Sequence, residues 1–353
     1  MRAPVLPLAD PVWSSSDRAL ELMRVVATAK EAAVGQTPKT VVWRKNKARL
    51  YRYQREEPAT RRTPVFLSLP LINRAYILDL RPGNSFVEFL LEEGHDVYLF
   101  DWGTWGPEDR NVTITDLVTR YLPRAIARAS ASAGGPVTLL GYCIGGVLAV
   151  CFAALHPDAA VKNLVLFTTP IDFADAGQFG IWTAKGSFPI ERIRETLDVV
   201  PGELIDVGAK MLNPIGSTLG TYLQLYEKLG DPSFDPRAWQ AMYRWVNEGT
   251  PFPAAAYHQW ITEFYQDNLL VKGRLRMDGR PVRLGAIRVP FLNVAATTDT
   301  IAPRTTTRVT LASVASRDKT EIVIEGGHVG IVVGRTAKME LWPRVSRWLK
   351  RHD

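Results

Sequence analysis

The chain has 353 residues, of which 46% are apolar, and a formal net charge of +7. A chain of this length and composition can bury a large core, which excludes a disordered or fibrous protein and predicts a globular one. The basic residues are scattered in small groups and form no long tract, so we expect no nucleic acid as a partner. The positive charge favours an anionic ligand instead.

Two cysteines, Cys143 and Cys151, are the only ones in the chain. They lie about 12 Å apart if they occupy one helix, which is too far for a disulfide. Because there is no disulfide framework and no charged and then apolar leader at Met1, we expect a cytoplasmic location.

Residues 1–39 are predicted to form an N-terminal helical segment. Within it, residues 17–33 carry apolar side chains that share one helical face, namely Leu22, Val25, Val26 and Ala29. Residues 40–43 and 48–53 follow as two short strands around a basic turn, a pattern that predicts a β-hairpin.

From residue 64 onwards, short apolar strands alternate with helices. Repeated β-α units predict an α/β fold with a mostly parallel sheet and helices on both faces. The first part of this core spans residues 40–171 and the second part spans residues 286–353. Its strands are predicted at residues 64–69, 96–100, 137–142, 163–167, 290–295 and 320–324, and its helices at residues 85–93, 115–129, 146–155 and 336–350.

Residues 172–285 interrupt the alternation. This segment is rich in aromatic residues and prolines and shows no regular β-α pattern. We interpret it as a helical insertion over the carboxyl edge of the sheet, where insertions commonly form lids. It is called the lid insertion below.

Residues 137–155 contain no charged side chain and have the hydropathy of a membrane span. A buried parallel strand that leads into a buried helix has the same hydropathy. The glycines at positions 141, 145 and 146 favour this second interpretation, so the sequence predicts no transmembrane segment.

The sequence Gly-Tyr-Cys-Ile-Gly-Gly at residues 141–146 lies between that strand and that helix. This is the context of the nucleophile elbow of α/β-hydrolase folds, where glycines flank the nucleophile because neighbouring Cβ atoms would collide. The helix N-terminus favours the thiolate of a cysteine at this place. Cys143 is therefore the candidate nucleophile. The alternative, a small buried apolar residue, fits Cys151 better.

An elbow nucleophile needs a base, and the acid and the histidine come from loops after later strands. Asp299 follows the strand at residues 290–295, and His328 lies in the glycine-rich loop after the strand at residues 320–324. Both are therefore candidate catalytic residues. The other histidines do not follow a predicted strand of this kind; they are His95, His156, His258 and His352.

The oxyanion of a tetrahedral intermediate needs backbone N–H donors. One is expected from Ile144, the residue after the nucleophile, and one from Leu71, in the loop after the strand at residues 64–69. The alternative for Leu71 is that residues 69–72 only end a strand and pack.

Several segments are similar to those of one enzyme family. Residues 141–146 resemble the G-x-C-x-G-G signature of polyhydroxyalkanoate (PHA) synthases, α/β-hydrolase-fold acyltransferases, and the resemblance runs from about residue 41 to the C-terminus. It implies polymerisation of (R)-3-hydroxyacyl-coenzyme A (CoA) thioesters with release of CoA. The other similar segments are residues 70–80, 96–103, 169–173, 201–203 and 264–268.

The resemblance also implies roles for the candidate residues. Cys143 would carry the acyl chain as a thioester, His328 would deprotonate Cys143, and Asp299 would either assist His328 or activate the incoming 3-hydroxyl group. The family often has histidine after this aspartate, whereas this chain has Thr300. A cysteine suits this chemistry because acyl transfer between two thiols is nearly thermoneutral, and the product can still acylate an alcohol.

Further partners are implied by the resemblance alone. The chain is similar to the catalytic subunit of the short synthases, which implies a small helical partner subunit, a homodimer and a site of action at the polymer granule surface. No cofactor is expected, and no metal, since the sequence has neither H-E-x-x-H nor paired cysteines.

Two other functions stay open on the sequence. The first is a hydrolase of the same fold, such as a thioesterase, esterase or polyester depolymerase, because fold and triad do not decide between water and alcohol as the acceptor. The second is a non-catalytic protein that coats the granule.

Overall fold

The computed structural model describes residues 15–212, 220–231 and 233–353. Its centre is an eight-stranded sheet whose strands are β1 (Lys39–Lys45), β2 (Ala48–Tyr53), β3 (Val65–Ser68), β4 (Val97–Asp101), β5 (Val137–Tyr142), β6 (Val161–Phe167), β7 (Phe291–Ala296) and β8 (Lys319–Ile324). The spatial order is β1-β2-β4-β3-β5-β6-β7-β8. Strand β2 is antiparallel to β1 and β4, and the other neighbours are parallel. The predicted mostly parallel α/β sheet is confirmed.

Burial explains why the central strands read as continuous apolar runs. All six residues of β5 and all six of β7 are buried. Because successive side chains point to opposite faces, both faces of the sheet are covered there. Residues 137–155 form β5 and a helix, and no helix in the described ranges is long and apolar enough to cross a membrane.

The helices surround this sheet and fill the segment between β6 and β7. They are α1 (Ser15–Ala27), α2 (Phe86–Glu92), α3 (Ile114–Asp116), α4 (Leu122–Ala133), α5 (Ile144–Leu155), α6 (Gly177–Trp182), α7 (Ile190–Thr196), α8 (Gly202–Met211), α9 (Gly220–Lys228), α10 (Pro236–Val246), α11 (Ala254–Gln259), α12 (Arg304–Ser313), α13 (Gly330–Val333) and α14 (Trp342–Arg351). Three π-helical segments adjoin helices: Leu117–Tyr121 follows α3, Trp260–Gln266 follows α11, and Ala337–Leu341 precedes α14.

The N-terminal helix is shorter than the sequence pattern predicts. Residues 1–14 of the predicted segment lie outside the described residues, and α1 ends at Ala27 instead of continuing to residue 33. At Thr28 the backbone leaves helical geometry (φ −92°, ψ 0°), and the chain makes one 3₁₀ turn, Ala29–Glu31. The predicted apolar face of α1 packs on the lid insertion, where Val25 forms a cluster with Leu225 and Leu229.

The lid insertion leaves the sheet after β6 and returns at β7. Its described part contains α6 to α11, and residues 213–219 and 232 lie outside the described ranges. Strands β6 and β7 are paired in parallel, so the insertion leaves the sheet at its carboxyl edge, where β6 ends, and rejoins it at the amino edge, where β7 begins. Loops at the carboxyl edge commonly carry the functional residues of such folds.

Candidate active site

Cys143 occupies a sharp turn between β5 and α5. Its φ of 54° and ψ of −127° are strained for a residue with a Cβ atom, and strain of this kind is found at functional sites. The turn is held by its backbone: the Cys143 N–H donates to the Phe167 carbonyl at 3.0 Å, and the Cys143 carbonyl accepts from the Gly146 N–H at 2.9 Å.

The glycines around Cys143 are required by close backbone contacts. A Cβ atom on Gly141 would lie 2.4 Å from the Cα of Gly146. A Cβ atom on Gly145 would lie 2.2 Å from the carbonyl oxygen of Ser68, at the end of β3. The elbow is therefore folded tightly on itself and against the end of β3, and any side chain at these positions would displace the nucleophile.

The second cysteine lies in a different environment. Cys151 is fully buried within α5, and burial, followed by the charge of Glu263, raises the pKa of its thiol far above the ordinary value. Such a thiol stays protonated and unreactive. Cys151 is a packing residue, as expected.

Asp299 and His328 form a buried pair next to the elbow. The Nδ1–H of His328 donates to Oδ2 of Asp299 at 2.7 Å. Oδ1 of Asp299 accepts from the backbone N–H groups of Ile301 and Ala302, both at 2.8 Å. The side chain of Asp299 is 0% exposed, and Thr300 beside it is exposed and takes no part in the pair.

The charges of this cluster reinforce one another. Burial alone would lower the pKa of His328, but the negative charges of Cys143 and Asp299, with hydrogen bonds to both, raise it to about 10. Burial would raise the pKa of Asp299, but the charge of His328 and hydrogen bonds from His328 and two backbone amides lower it. The site therefore favours a His328 imidazolium beside the Asp299 carboxylate.

The structure brings Cys143, Asp299 and His328 together, and all three are buried, with Cys143 only 7% exposed. The remaining histidines lie elsewhere. His258 bonds Glu191, His352 bonds Asp318, His156 lies beside Arg280, and His95 is buried ahead of β4. In the described part of the chain, no three His, Cys, Asp or Glu side chains are grouped so that they could hold a metal ion.

The two candidate oxyanion donors lie in the elbow and in the loop after β3. Ile144 is the first residue of α5, so its N–H has no acceptor within the helix. Leu71 is buried in the loop after β3, and its carbonyl accepts from the hydroxyl of Thr250 at 2.6 Å. That bond ties the loop to the lid insertion. The roles of both amides stay predictions.

An aromatic cluster from the lid insertion adjoins the site. It consists of Phe173, Phe179, Trp260, Phe264 and Tyr265, with ring centroids of Phe173 and Tyr265 4.8 Å apart. Burial, and next the charge of Cys143, raises the pKa of Tyr265, so this ring lies within electrostatic reach of the nucleophile. The sequence analysis did not assign these residues to the site, although residues 264–268 are one of the segments similar to those of the PHA synthases.

Two family-like segments meet beside this cluster. Asn268 accepts from the N–H of Phe173 at 3.1 Å and donates to the carboxylate of Asp172 at 2.7 Å. The segment at residues 169–173 is thereby joined to the segment at residues 264–268, across nearly the whole lid insertion. This contact holds the start of the insertion next to the elbow.

Comparisons with known proteins agree with this geometry. A family model described as alpha/beta hydrolase fold matches residues 79–334, and a model described as Poly-beta-hydroxybutyrate polymerase (PhaC) N-terminus matches residues 19–90. The poly(3-hydroxyalkanoate) polymerase subunit PhaC of Allochromatium vinosum is 32% identical, and the alignment covers 93% of this chain and 92% of the relative. The chain belongs to the PhaC family. The PhaC subunit of Haloferax mediterranei is 35% identical over 97% of this chain and 68% of its own length.

Solved structures support the fold of this PhaC-family chain. A monoacylglycerol lipase of Paleococcus ferrophilus superposes with a TM-score of 0.54 at 20% identity, covering 86% of this chain and 99% of the lipase. The DcsB protein bound to a substrate analogue gives a TM-score of 0.56 at 16% identity, covering 89% of this chain and 99% of DcsB. At such identities the likeness shows the α/β-hydrolase fold and nothing about substrate. The predicted fold and family are both confirmed.

Proposed function

We propose that the chain polymerises (R)-3-hydroxyacyl-CoA thioesters into polyhydroxyalkanoate, with release of CoA and with Cys143 as the covalent carrier. The observation that carries this proposal is a cysteine on a strained elbow, paired with a buried His328–Asp299 couple, in a chain of the PhaC family. The family indicates the substrate class, and the geometry supports the chemistry.

In the acylation step, His328 first takes the proton of the Cys143 thiol. The Cys143 thiolate attacks the thioester carbonyl carbon, and the resulting oxyanion is stabilised by the N–H of Ile144 and, as predicted, that of Leu71. The carbon–sulfur bond to CoA then breaks, and the leaving thiolate takes its proton from the His328 imidazolium. The acyl group is now a thioester of Cys143, and His328 is neutral.

The transfer step forms the ester bond. A 3-hydroxyl group, from a second hydroxyacyl unit, attacks the Cys143 thioester while neutral His328 accepts the hydroxyl proton. Collapse of the second tetrahedral intermediate releases the Cys143 thiolate beside the His328 imidazolium, which restores the starting state. The proposed chemistry needs no cofactor and no metal, because the CoA thioester is itself the substrate.

Asp299 acts on His328 in this proposal and not on the substrate hydroxyl. Its side chain is 0% exposed, and its two oxygens already accept three hydrogen bonds from protein groups. A carboxylate in this state can orient the imidazole and stabilise its charged form, as in other nucleophile–His–Asp triads. Reaching a substrate would require breaking these bonds.

A dry site favours the alcohol over water as acyl acceptor. Cys143 is 7% exposed, and Tyr265 of the aromatic cluster lies within electrostatic reach of it. Excluding water protects a reactive intermediate from hydrolysis. This supports a polymerase over a thioesterase, esterase or depolymerase of the same fold.

The assembly around the enzyme is also part of the proposal. The relatives are named as polymerase subunits, which supports a small helical partner subunit for this chain. We extend the proposal to a homodimer that acts in the cytoplasm at the surface of the polymer granule. Light scattering of the purified chain, with and without a co-expressed partner, tests both associations.

The decisive experiment measures free CoA thiol released from (R)-3-hydroxybutyryl-CoA and analyses the product. The wild type is expected to release CoA and form polyester, and Cys143→Ala is expected to lose at least about a thousandfold in rate. Cys151→Ala, the matched control, removes the other thiol and keeps the activity within a few-fold.

Each other outcome points to a different function. CoA release with free 3-hydroxyacid as the product would make the chain a thioesterase. Absence of turnover with any 3-hydroxyacyl chain length, with or without the partner subunit, would favour the non-catalytic granule protein.

A further inference from the structure

Tyr142, the residue before the nucleophile, reaches across the site to the loop that carries His328. Its hydroxyl donates to the main-chain carbonyl of His328 at 3.2 Å. Its ring lies beside the imidazole, with centroids 5.4 Å apart and an interplanar angle of 32°. Tyr142 is 1% exposed, so both contacts are made away from solvent.

The loop that Tyr142 contacts is rich in glycine. His328 is preceded by Gly326 and Gly327 and followed two residues later by Gly330. Gly326 has a φ of 140°, a conformation that residues with side chains rarely adopt. The loop start is attached to the end of β7, since Thr298 N–H donates to the Gly326 carbonyl at 3.0 Å. Glycine-rich backbone needs such external contacts to hold one conformation.

We infer that Tyr142 is a positioning residue, which fixes the imidazole of His328 relative to Cys143 by holding its backbone carbonyl and packing against its ring. The inference rests on the proposed role of His328 as the proton carrier. Tyr142 and Cys143 are adjacent in the chain, at the end of β5. This strand end therefore locates the nucleophile directly and its base through Tyr142.

The donor state of Tyr142 is secure over the working pH range. Burial, and then the negative charges of Cys143 and Asp299, raises the pKa of its phenol well above the ordinary value. The hydroxyl therefore stays protonated and can donate. Asp299 holds the imidazole at Nδ1. Tyr142 holds the same residue at its carbonyl, so the two contacts restrain His328 from different sides.

The test compares Tyr142→Phe with a matched control, Tyr98→Phe. Tyr98 is also fully buried with a hydrogen-bonded hydroxyl, to Asp96 at 3.1 Å, but it lies near the start of β4. Tyr142→Phe keeps the ring and loses the tether, and kcat for CoA release is expected to fall about tenfold with KM within twofold. Tyr98→Phe is expected to leave kcat unchanged, while both variants lose similar thermal stability.

A double-mutant cycle with Asp299→Asn separates positioning from a general structural effect. Residues that act through the same group show strongly non-additive effects. If Tyr142 acts through His328, the tenfold effect of Tyr142→Phe shrinks to less than twofold in the Asp299→Asn background. An effect that persists there in full, or a Tyr142→Phe enzyme with wild-type kcat, would overturn the inference.

A second measurement needs no turnover. The Nδ1 proton between His328 and Asp299 lies in a 2.7 Å hydrogen bond and is expected to give a low-field proton NMR signal. This signal is expected to shift or broaden in Tyr142→Phe and to stay unchanged in Tyr98→Phe. An unchanged signal in Tyr142→Phe would refute the role of Tyr142. Inactivity of the wild type toward hydroxyacyl-CoA would count against the proposed function alone, because the NMR signal does not depend on turnover.

Discussion

Asp299 and His328 keep their charges inside the protein because each provides the environment that the other needs. An isolated buried carboxylate or imidazolium is costly, but a hydrogen-bonded pair of opposite charge offsets much of that cost. Two backbone amides stabilise the carboxylate further. The site is thus set up for proton transfer before a substrate arrives.

This pairing makes the stability of the protein depend on pH. The pKa of His328 is raised from 6.5 to about 10 in the folded chain, so its contribution to stability is complete below about pH 6.5 and is lost as the pH rises through about 10. We expect the free energy of unfolding of the wild type, minus that of His328→Gln, to decrease across this window. Urea titrations at several pH values measure it. A difference that stays constant or grows with pH would contradict the ion pair.

At the scale of single residues, the sequence predicted the reactive groups but not their supports. Cys143, Asp299 and His328 could be named because motif context and chain order restrict them to a few positions. The contact from Tyr142 to His328 spans 186 residues. No local pattern encodes such a contact, because it exists only once β5 and the loop after β8 are side by side.

At the scale of elements, the β5–α5 elbow depends on close backbone packing against β3. Gly145→Ala would place a Cβ atom 2.2 Å from the Ser68 carbonyl oxygen and 2.6 Å from the Leu69 carbonyl carbon. We expect this variant to lose about 2 kcal/mol or more of stability and most of its CoA release, since the elbow must move. Thermal unfolding and the thiol assay measure both.

Gly135→Ala is the control for this substitution. Gly135 lies just before β5 and has nothing within 4 Å of its added Cβ. Its stability is expected to stay within about 0.5 kcal/mol of the wild type. Equal losses in the two variants would show that the close contact at Gly145 is not the cause.

The strands and core helices followed from hydrophobic patterning, whereas the ends of helices and the docking of α1 on the lid insertion did not. Residues 137–142 were predicted as a strand with the bounds that β5 has. In contrast, the pattern of residues 17–33 continues past Ala27, where the backbone turns away. The periodicity of apolar residues predicts which face of a helix is apolar, but it does not predict the surface against which that face packs. The docking of α1 on the lid insertion therefore could not be read from it.

At the scale of the whole molecule, burial is unevenly distributed. All six residues of β5 are buried, but in α8 of the lid insertion only Gly202 and Asp206 are. The opposite face of α8 exposes Leu204, Val207 and Met211, each more than half exposed. Local stability follows the density of buried contacts, so the lid insertion is expected to open before the sheet.

Hydrogen exchange tests this order of opening. Amides of α8 are expected to exchange at least about tenfold faster than those of α4, a core helix of similar length with four buried residues. Mass spectrometry of deuterated peptides resolves the two helices. Equal protection would mean that the lid insertion and the sheet unfold as one unit.

The lid insertion starts and ends on neighbouring strands, and this has a consequence for protein engineering. The N–H of Thr168, just past β6, donates to the carbonyl of Val294 in β7 at 2.8 Å, so the two flanking strands are bonded directly to each other. Because these strands are parallel, the insertion begins at one edge of the sheet and ends at the other, so a lid grafted from a relative must keep this crossing to leave the strands in place. Chimeras with grafted lids would then retain Cys143, Asp299 and His328 and differ only in what the graft supplies.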